Sequence, residues 1–226
     1  MKRTWALIVL LWAGYSAAAQ QSEVRKVEAF KGVRASEAID VYLKKGDKES
    51  VRVEVEGTSL SNVLTEVSGS YLKIHMREGN YRNRNVKVYV TYVAIEKISA
   101  SSASNIFSEG VIKSDKLDIN AASAGSVEIE VEAGDVTADV ASAGDITLEG
   151  RARNFTAEAS SAGSLDAYNL ECEVANVSAS SAGSIKVSVT KELDAEASSG
   201  GSIRYRGNPT RTNTGSSSGG SVKKSS

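Results

Sequence analysis

The chain of 226 residues contains one cysteine, one histidine and one proline, only eleven Phe and Tyr together, and almost no net charge. Each scarcity closes off a class of protein. A single cysteine, Cys172, cannot form an internal disulfide, and one histidine, His75, cannot build the usual zinc patterns. A formal net charge of −1 argues against a nucleic-acid binder, which carries a basic face. After residue 100 the aromatic residues that could platform a sugar reduce to Phe107, Phe155, Tyr168 and Tyr205. Beyond the first twenty residues no stretch approaches the roughly 18 consecutive apolar residues of a membrane helix.

Those first twenty residues read as a targeting label. Lys2 and Arg3 form a basic start, Ala6 to Trp12 a short apolar run, and Ala17-Ala18-Ala19 a small-residue cleavage site. That arrangement predicts a signal peptide over 1–19 and a mature protein beginning at Gln20, exported to periplasm, cell surface or medium. No cysteine follows the cleavage site to carry a lipid.

What the sequence has in abundance is one small word. SAGSV at 123, SAGDI at 142, SAGSL at 161, SAGSI at 181, SGGSI at 199 and SGGSV at 218 repeat it, and SASNI at 102 is a degenerate first copy. Aligned on glycine, the positions are Ser104, Gly125, Gly144, Gly163, Gly183, Gly201 and Gly220, at steps of 21, 19, 19, 20, 18 and 19 residues. A near-constant period of this kind marks a solenoid, in which each repeat packs on its neighbours.

Side-chain alternation selects the type of solenoid. From Val136, the even positions through Ala138, Val140, Ser142, Gly144, Ile146 and Leu148 are apolar or small, and the odd ones are mostly polar. Phe155, Ala157, Ala159, Ser161, Gly163 and Leu165 keep that phase in the next copy. Period two is the period of strands. The leucine and asparagine spacing of leucine-rich repeats is missing, so each repeat reads as one coil of a single-stranded parallel β-helix of about 19–20 residues per coil.

In this reading Ser123, Ser142, Ser161, Ser181 and Ser199 form an inward ladder of hydroxyls, and Gly125, Gly144, Gly163, Gly183 and Gly201 line a tight inner corner. Gly163 is expected to meet Gly144 below and Gly183 above and to resist valine. Ala162, facing outward on a strand, is expected to accept it. Outward Ala143, Ala162 and Ala182 with Asp145, Ser164 and Ser184 form a flat, small, polar strip.

Residues 22–222 are expected to form one domain. Within it, 22–100 gives less regular, wider coils, as in Val51-Val53-Val55 and Val86-Val88-Val90, and 101–222 the regular repeats. Continuation of the coils is preferred there over a small antiparallel cap, because Ala35-Ser36-Glu37-Ala38-Ile39 echoes the repeat with Glu37 in the glycine place. The end, 207–226, reads as a partly frayed polar tail. Charge is uneven: residues 115–200 hold 16 acidic and 5 basic side chains, whereas Arg204, Arg206, Arg211, Lys223 and Lys224 follow Gly201 with no acid.

The signal peptide, FKGVRASEAIDVYLKKGD, VRVEVEG, YLKIHM, VKVYVTY and the run of SAG coils together resemble the putative auto-transporter adhesin head GIN domain family, over roughly Val27 to Val222. The resemblance implies a right-handed single-stranded β-helix, exported, without catalytic residues. The residues themselves add no catalytic group, cofactor or metal set: a serine nucleophile requires a nearby base, and His75 lies outside the repeats. The expected function is therefore a non-enzymatic binding module or adhesin, with a glycan or surface protein as partner. Three alternatives compete: a carbohydrate-active enzyme using acids such as Asp145 and Glu158, calcium held by outward Asp139, Asp145, Glu149, Glu158 and Asp166, and ice binding by a flat face.

Overall fold

The structure is a computed structural model that describes residues 21–225, so the expected signal peptide lies outside the described residues. Alternation of apolar and polar side chains over the first hundred residues resolves into β1 (Gln21–Arg25), β2 (Gly32–Ala35), β3 (Asp40–Lys45), β4 (Ser50–Glu56), β5 (Val63–Ser68), β6 (Tyr71–Met76), β7 (Asn85–Tyr92) and β8 (Lys97–Ala100). The repeats then give β9 (Asn105–Ala121), β10 (Ser126–Val140), β11 (Asp145–Ala159), β12 (Ser164–Ala179) and β13 (Ser184–Ala197). Three short strands follow: β14 (Ser202–Arg206), β15 (Arg211–Ser216) and β16 (Ser221–Lys224).

Parallel coils stack into a β-solenoid of about seven turns. Each of β9 to β13 runs along a front ladder, bends, and continues along a back ladder before the next SAG turn. Equivalent residues lie in register one coil above another, at a spacing of roughly 4.8 Å. Inside the front ladder Val41, Ile106, Val127, Ile146, Leu165, Ile185, Ile203 and Val222 form one continuous aliphatic column. Inside the back ladder Leu72, Val33, Ile98, Ile119, Ala138, Ala157, Val177 and Ala195 form another. All of these but Val222 are buried, and each fully buried Val, Leu or Ile contributes about 1.5–3 kcal/mol. Large and small side chains alternate where the cross-section demands it: Phe155 stacks between Val136 and Ala175, so the missing volume of the alanine accommodates the ring.

The variable period has a local cause. The register between β11 and β12 shifts between Thr147 and Glu149, and between β12 and β13 between Ala167 and Glu171. Extra residues are thus absorbed at the bend, while the turn side keeps its geometry.

The first hundred residues depart from the expected run of wider coils in two ways. Residues 32–45 do form a coil, but it sits between 71–92 and 97–108, because β2 pairs with β6 and β8, and β3 with β7 and β9. Stack order is therefore not chain order. Beyond β6 and β7 the strands reverse: β4 is antiparallel to β7, β5 to β6, and β1 to β4. This antiparallel cap covers the terminal coil and leaves β1 and β5 as edges. Alternation is identical in parallel and antiparallel strands, whereas short connections such as Ser68-Gly69-Ser70-Tyr71 permit only reversal.

The tail expected to fray is instead paired. β15 adds to β13 and β16 to β14, completing a last coil. Its Thr212, Thr214 and Ser216 stand under Leu193, Ala195 and Ala197, so hydroxyls rather than methyls close that end, as a terminal repeat facing water requires.

Candidate binding surfaces

The SAG word is a four-residue turn. In SSAG, the Gly163 N–H donates to Ser160 O at 2.8 Å, while Ser161 and Ala162 between them have φ of 49° and 61°. Both central residues are left-handed, the conformation of a type I′ turn. The same pair recurs at Ser102-Ala103, Ser123-Ala124, Ser142-Ala143 and Ser181-Ala182. Neighbouring turns are joined by backbone: Ala143 N–H donates to Ser161 O, Ala162 N–H to Ser181 O and Ala182 N–H to Ser199 O, each at 3.1 Å.

This conformation overturns the inward serine ladder. Ser123, Ser142, Ser161, Ser181 and Ser199 are all exposed, because two successive left-handed residues swing both side chains of the turn away from the core. Their hydroxyls form no hydrogen bond with other described residues. The glycines that follow are buried as expected, but their neighbour is not another glycine. A Cβ on Gly163 would stand 2.7 Å from Val140 O, and on Gly183 2.3 Å from Ala159 O. Glycine is required because the backbone of the preceding coil occupies the space.

The degenerate copies confirm the logic. At Ser104, fully buried, Oγ lies 2.9 Å from Ala35 O, so a polar atom there satisfies that carbonyl. In the echo at 35–39, Glu37 and Ala38 are the two left-handed residues, at φ 66° and 53°. Glu37 therefore takes the place of the turn serine, and Ile39 that of the glycine.

Outside the front ladder runs a column of small polar side chains, Ser126, Asp145, Ser164, Ser184, Ser202 and Ser221. With Ala143, Ala162 and Ala182 on the adjacent turns, it forms the small polar strip read from the sequence; Ser126, Ser184, Ser202 and Ser221 are half-buried, and Asp145, Ser164 and the three alanines are exposed.

Two residues further along each coil, a second outward column changes character from end to end. It begins Arg52, Tyr89, Tyr42, Phe107. The Arg52 guanidinium lies 4.0 Å over the Tyr89 ring, and the ring centroids of Tyr89–Tyr42 and Tyr42–Phe107 are 5.1 and 5.3 Å apart, nearly parallel. Sequence reasoning missed this stack because Tyr42, Tyr89 and Phe107 are far apart in the chain and join only through the swapped stack order. Tyr42 and Tyr89 of this stack line a shallow groove of about 310 Å³ together with Lys44, Arg52 and Glu109. The column continues Glu128, Thr147, Asp166, Lys186, Arg204, Lys223.

The back ladder is acidic outside. Asp139 is in register with Glu158 and Asn120. Burial raises its carboxyl above the ordinary aspartate range, and the charges of Glu158 and Asp118 raise it further. Cys172 is buried, and burial pushes its thiol up to about 12, which leaves almost no thiolate at neutral pH. His75 Nδ1 lies 3.0 Å from the Met76 carbonyl. Among the described residues, no group of three or more His, Cys, Asp or Glu converges as a metal site, and no helix is long and apolar enough to cross a membrane.

A solenoid of stacked coils whose outer surfaces are ladders of repeated side chains belongs to the class of β-helical proteins. Residues 29–209 match the model of the family described as putative auto-transporter adhesin, head GIN domain, and the chain belongs to that family. Among solved structures it is similar to a putative adhesin from Bacteroides fragilis, with 21% identity over 92% of this chain and 97% of that one and a TM-score of 0.83. A putative lipid binding protein from Parabacteroides distasonis shares 19% identity over 93% and 98%, at a TM-score of 0.69. A putative adhesin from Parabacteroides merdae shares 14% over the same 93% and 98%, at 0.71. At such identities the likeness is one of fold. No curated protein matches the chain.

Proposed function

We propose that this protein is a non-enzymatic, exported binding module that acts as an adhesin, using the turn ridge and the adjoining serine column as its contact surface. The observation that carries the reading is the ridge itself: stacked Ser-Ala turns, tied through their backbones, with side-chain hydroxyls left without an intramolecular partner. Individually weak contacts repeated on every coil give useful avidity when the target is also repetitive. The family description as an adhesin supports the same reading, and a glycan or a surface protein is the partner class. Binding to glycan and cell-surface arrays tests it. Ser126→Tyr together with Ser164→Tyr, on outward-facing strand positions, half-buried and exposed respectively, that tolerate an aromatic, should abolish capture; undiminished capture would sink the assignment of the surface.

Carbohydrate cleavage is the second reading, and the raised Asp139 beside Glu158 is the observation in its favour, since glycosidases pair carboxyl groups of different acidity. Release of reducing ends from polysaccharides, lost in Glu158→Gln, would replace the binding reading with this one.

A further inference from the structure

Elsewhere on this surface, although acids also meet in register at Asp139 and Glu158 and at Glu130 and Glu149, several charged columns alternate in sign from coil to coil. Lys113, Glu132, Arg151 and Glu171 form one such column, with Lys113 Nζ 2.6 Å from Glu132. Lys116 stands beside Asp135, and Glu192 beside Arg211. This is the arrangement expected when cross-strand pairs stabilise a sheet, since like charges directly opposite destabilise it.

The last three coils of the front ladder stack cations instead. Lys186, Arg204 and Lys223 are directly in register, three cations stacked at roughly 4.8 Å. Only Lys186 has an acidic partner, Asp166 at 2.8 Å. Arg204 and Lys223 are exposed and form no ion pair with another described residue. On the same face Arg206 extends the basic area, its guanidinium 3.9 Å over the Tyr168 ring, and the Tyr168 hydroxyl is 2.7 Å from Ser225 Oγ. Beside the cations run Ser184, Ser202 and Ser221, also in register. The result is a grid: one serine and one cation per coil, repeated three times, with Arg206 at its margin.

We propose that this grid binds a linear polyanionic polysaccharide, laid along the solenoid axis with one acidic group per coil. Cations projecting in parallel from successive strands do not converge on a single small anion, but they match acidic groups spaced along an extended chain, and the serine hydroxyls are placed to hydrogen-bond sugar hydroxyls between them. The cost of stacking like charges is then offset by the ligand. A lipid surface fits less well, because the exposed large apolar side chains among the described residues, Val24, Val93 and Val111, lie on earlier coils and not around the grid. The inference deepens the adhesin reading by naming a ligand class, and it occupies different residues from the Ser126 and Ser164 region tested above.

The experiment is titration of the full mature protein with polygalacturonate, with heparin as a sulfated probe, neutral dextran as comparator, and phosphatidylglycerol vesicles as the lipid source of anionic groups. Binding to polygalacturonate or heparin should weaken steeply with salt. The Arg204→Gln/Lys223→Gln double variant should lose about tenfold or more in affinity, with a shallower salt dependence. Lys113→Gln/Lys116→Gln, which removes two cations from the alternating columns, should bind as the parent does. Both pairs of positions are exposed, and matched denaturation midpoints would establish that the variants fold. Undiminished binding by the Arg204/Lys223 variant, equal binding of dextran, tighter binding of vesicles than of polysaccharide, or a salt-sensitive self-association in place of polysaccharide binding would each overturn the proposal. If array capture still depends on Ser126 and Ser164 in that case, the adhesin reading survives alone; if neither polymers nor arrays bind, both fall.

Discussion

The backbone of Val140 occupies the place where Gly163 would carry a side chain: a Cβ there would stand 2.7 Å from the Val140 carbonyl oxygen and 2.8 Å from its carbon. That oxygen also accepts the Ser160 N–H at 2.9 Å, so it cannot withdraw without breaking an inter-coil hydrogen bond. Gly163→Ala should therefore destabilise already, and Gly163→Val by about 1–3 kcal/mol or more, read by chemical denaturation beside the parent.

Ala162 reverses the expectation drawn from alternation. It is exposed but left-handed, at φ 61°, a conformation that a β-branched residue adopts only with strain. Ala162→Val should cost about 1 kcal/mol or more, whereas Ala162→Gly should be neutral or stabilising. Thermal unfolding of the two variants checks the sign; a silent valine would mean that the turn is not left-handed.

Phe155 is the largest fully buried side chain and stacks on Ala175. Removal leaves a void in mid-solenoid that rigid, hydrogen-bonded coils cannot collapse to fill, so Phe155→Ala should lose about 3–5 kcal/mol. Phe155→Leu should lose clearly less. Denaturant midpoints at constant m-value are the measurement.

Asp139 gives a pH dependence of defined sign. Its folded carboxyl titrates above the ordinary range, so the folded state holds that proton more tightly than the unfolded state. Stability is lost as pH rises from the unfolded pKa, about 3.9, through the folded one. Asp139→Asn should consequently raise the midpoint of unfolding at pH 7, with the gain vanishing toward about pH 3, below the unfolded pKa. A gain independent of pH would assign the effect to packing instead.

Burial and a thiol pushed up to about 12 make Cys172 unreactive in the folded protein. Ellman's reagent at neutral pH should release no colour until denaturant unfolds the chain, and then one equivalent. Rapid reaction under native conditions would show that the neighbouring coil opens locally, where Val189 is in register with Cys172 and the Ser188 carbonyl lies 3.0 Å from its Sγ.

The sequence by itself determined the coil, its period and most of its inside and outside. Val136, Ala138 and Val140, or Ile185, Val187 and Val189, alternate with polar neighbours, and that alternation is local, imposed by the two-residue repeat of any strand. The regular repeats' glycines marked close approach, since the carbonyl of the preceding coil fills the space of a Cβ at Gly163 and Gly183. Lys186, Arg204 and Lys223 were also within reach: each stands three residues after Gly183, Gly201 and Gly220, and aligning the copies by charge reveals the column.

Only the tertiary structure decided the rest, because each remaining feature depends on what another segment places nearby. Ser142 and Ser161 keep the inward phase when counted from Val136 and Phe155, yet hydrogen bonds between turns hold them left-handed and turn them outward. Gly163 answers to a carbonyl 23 residues earlier in the chain, Val140, and not to the glycine of the next coil. Strand direction in the first hundred residues, the insertion of 32–45 between later segments, and the Tyr89–Tyr42–Phe107 stack it creates are products of pairing between distant strands. Alternation specifies which face a residue takes, but not which strand lies beside it or in which direction it runs.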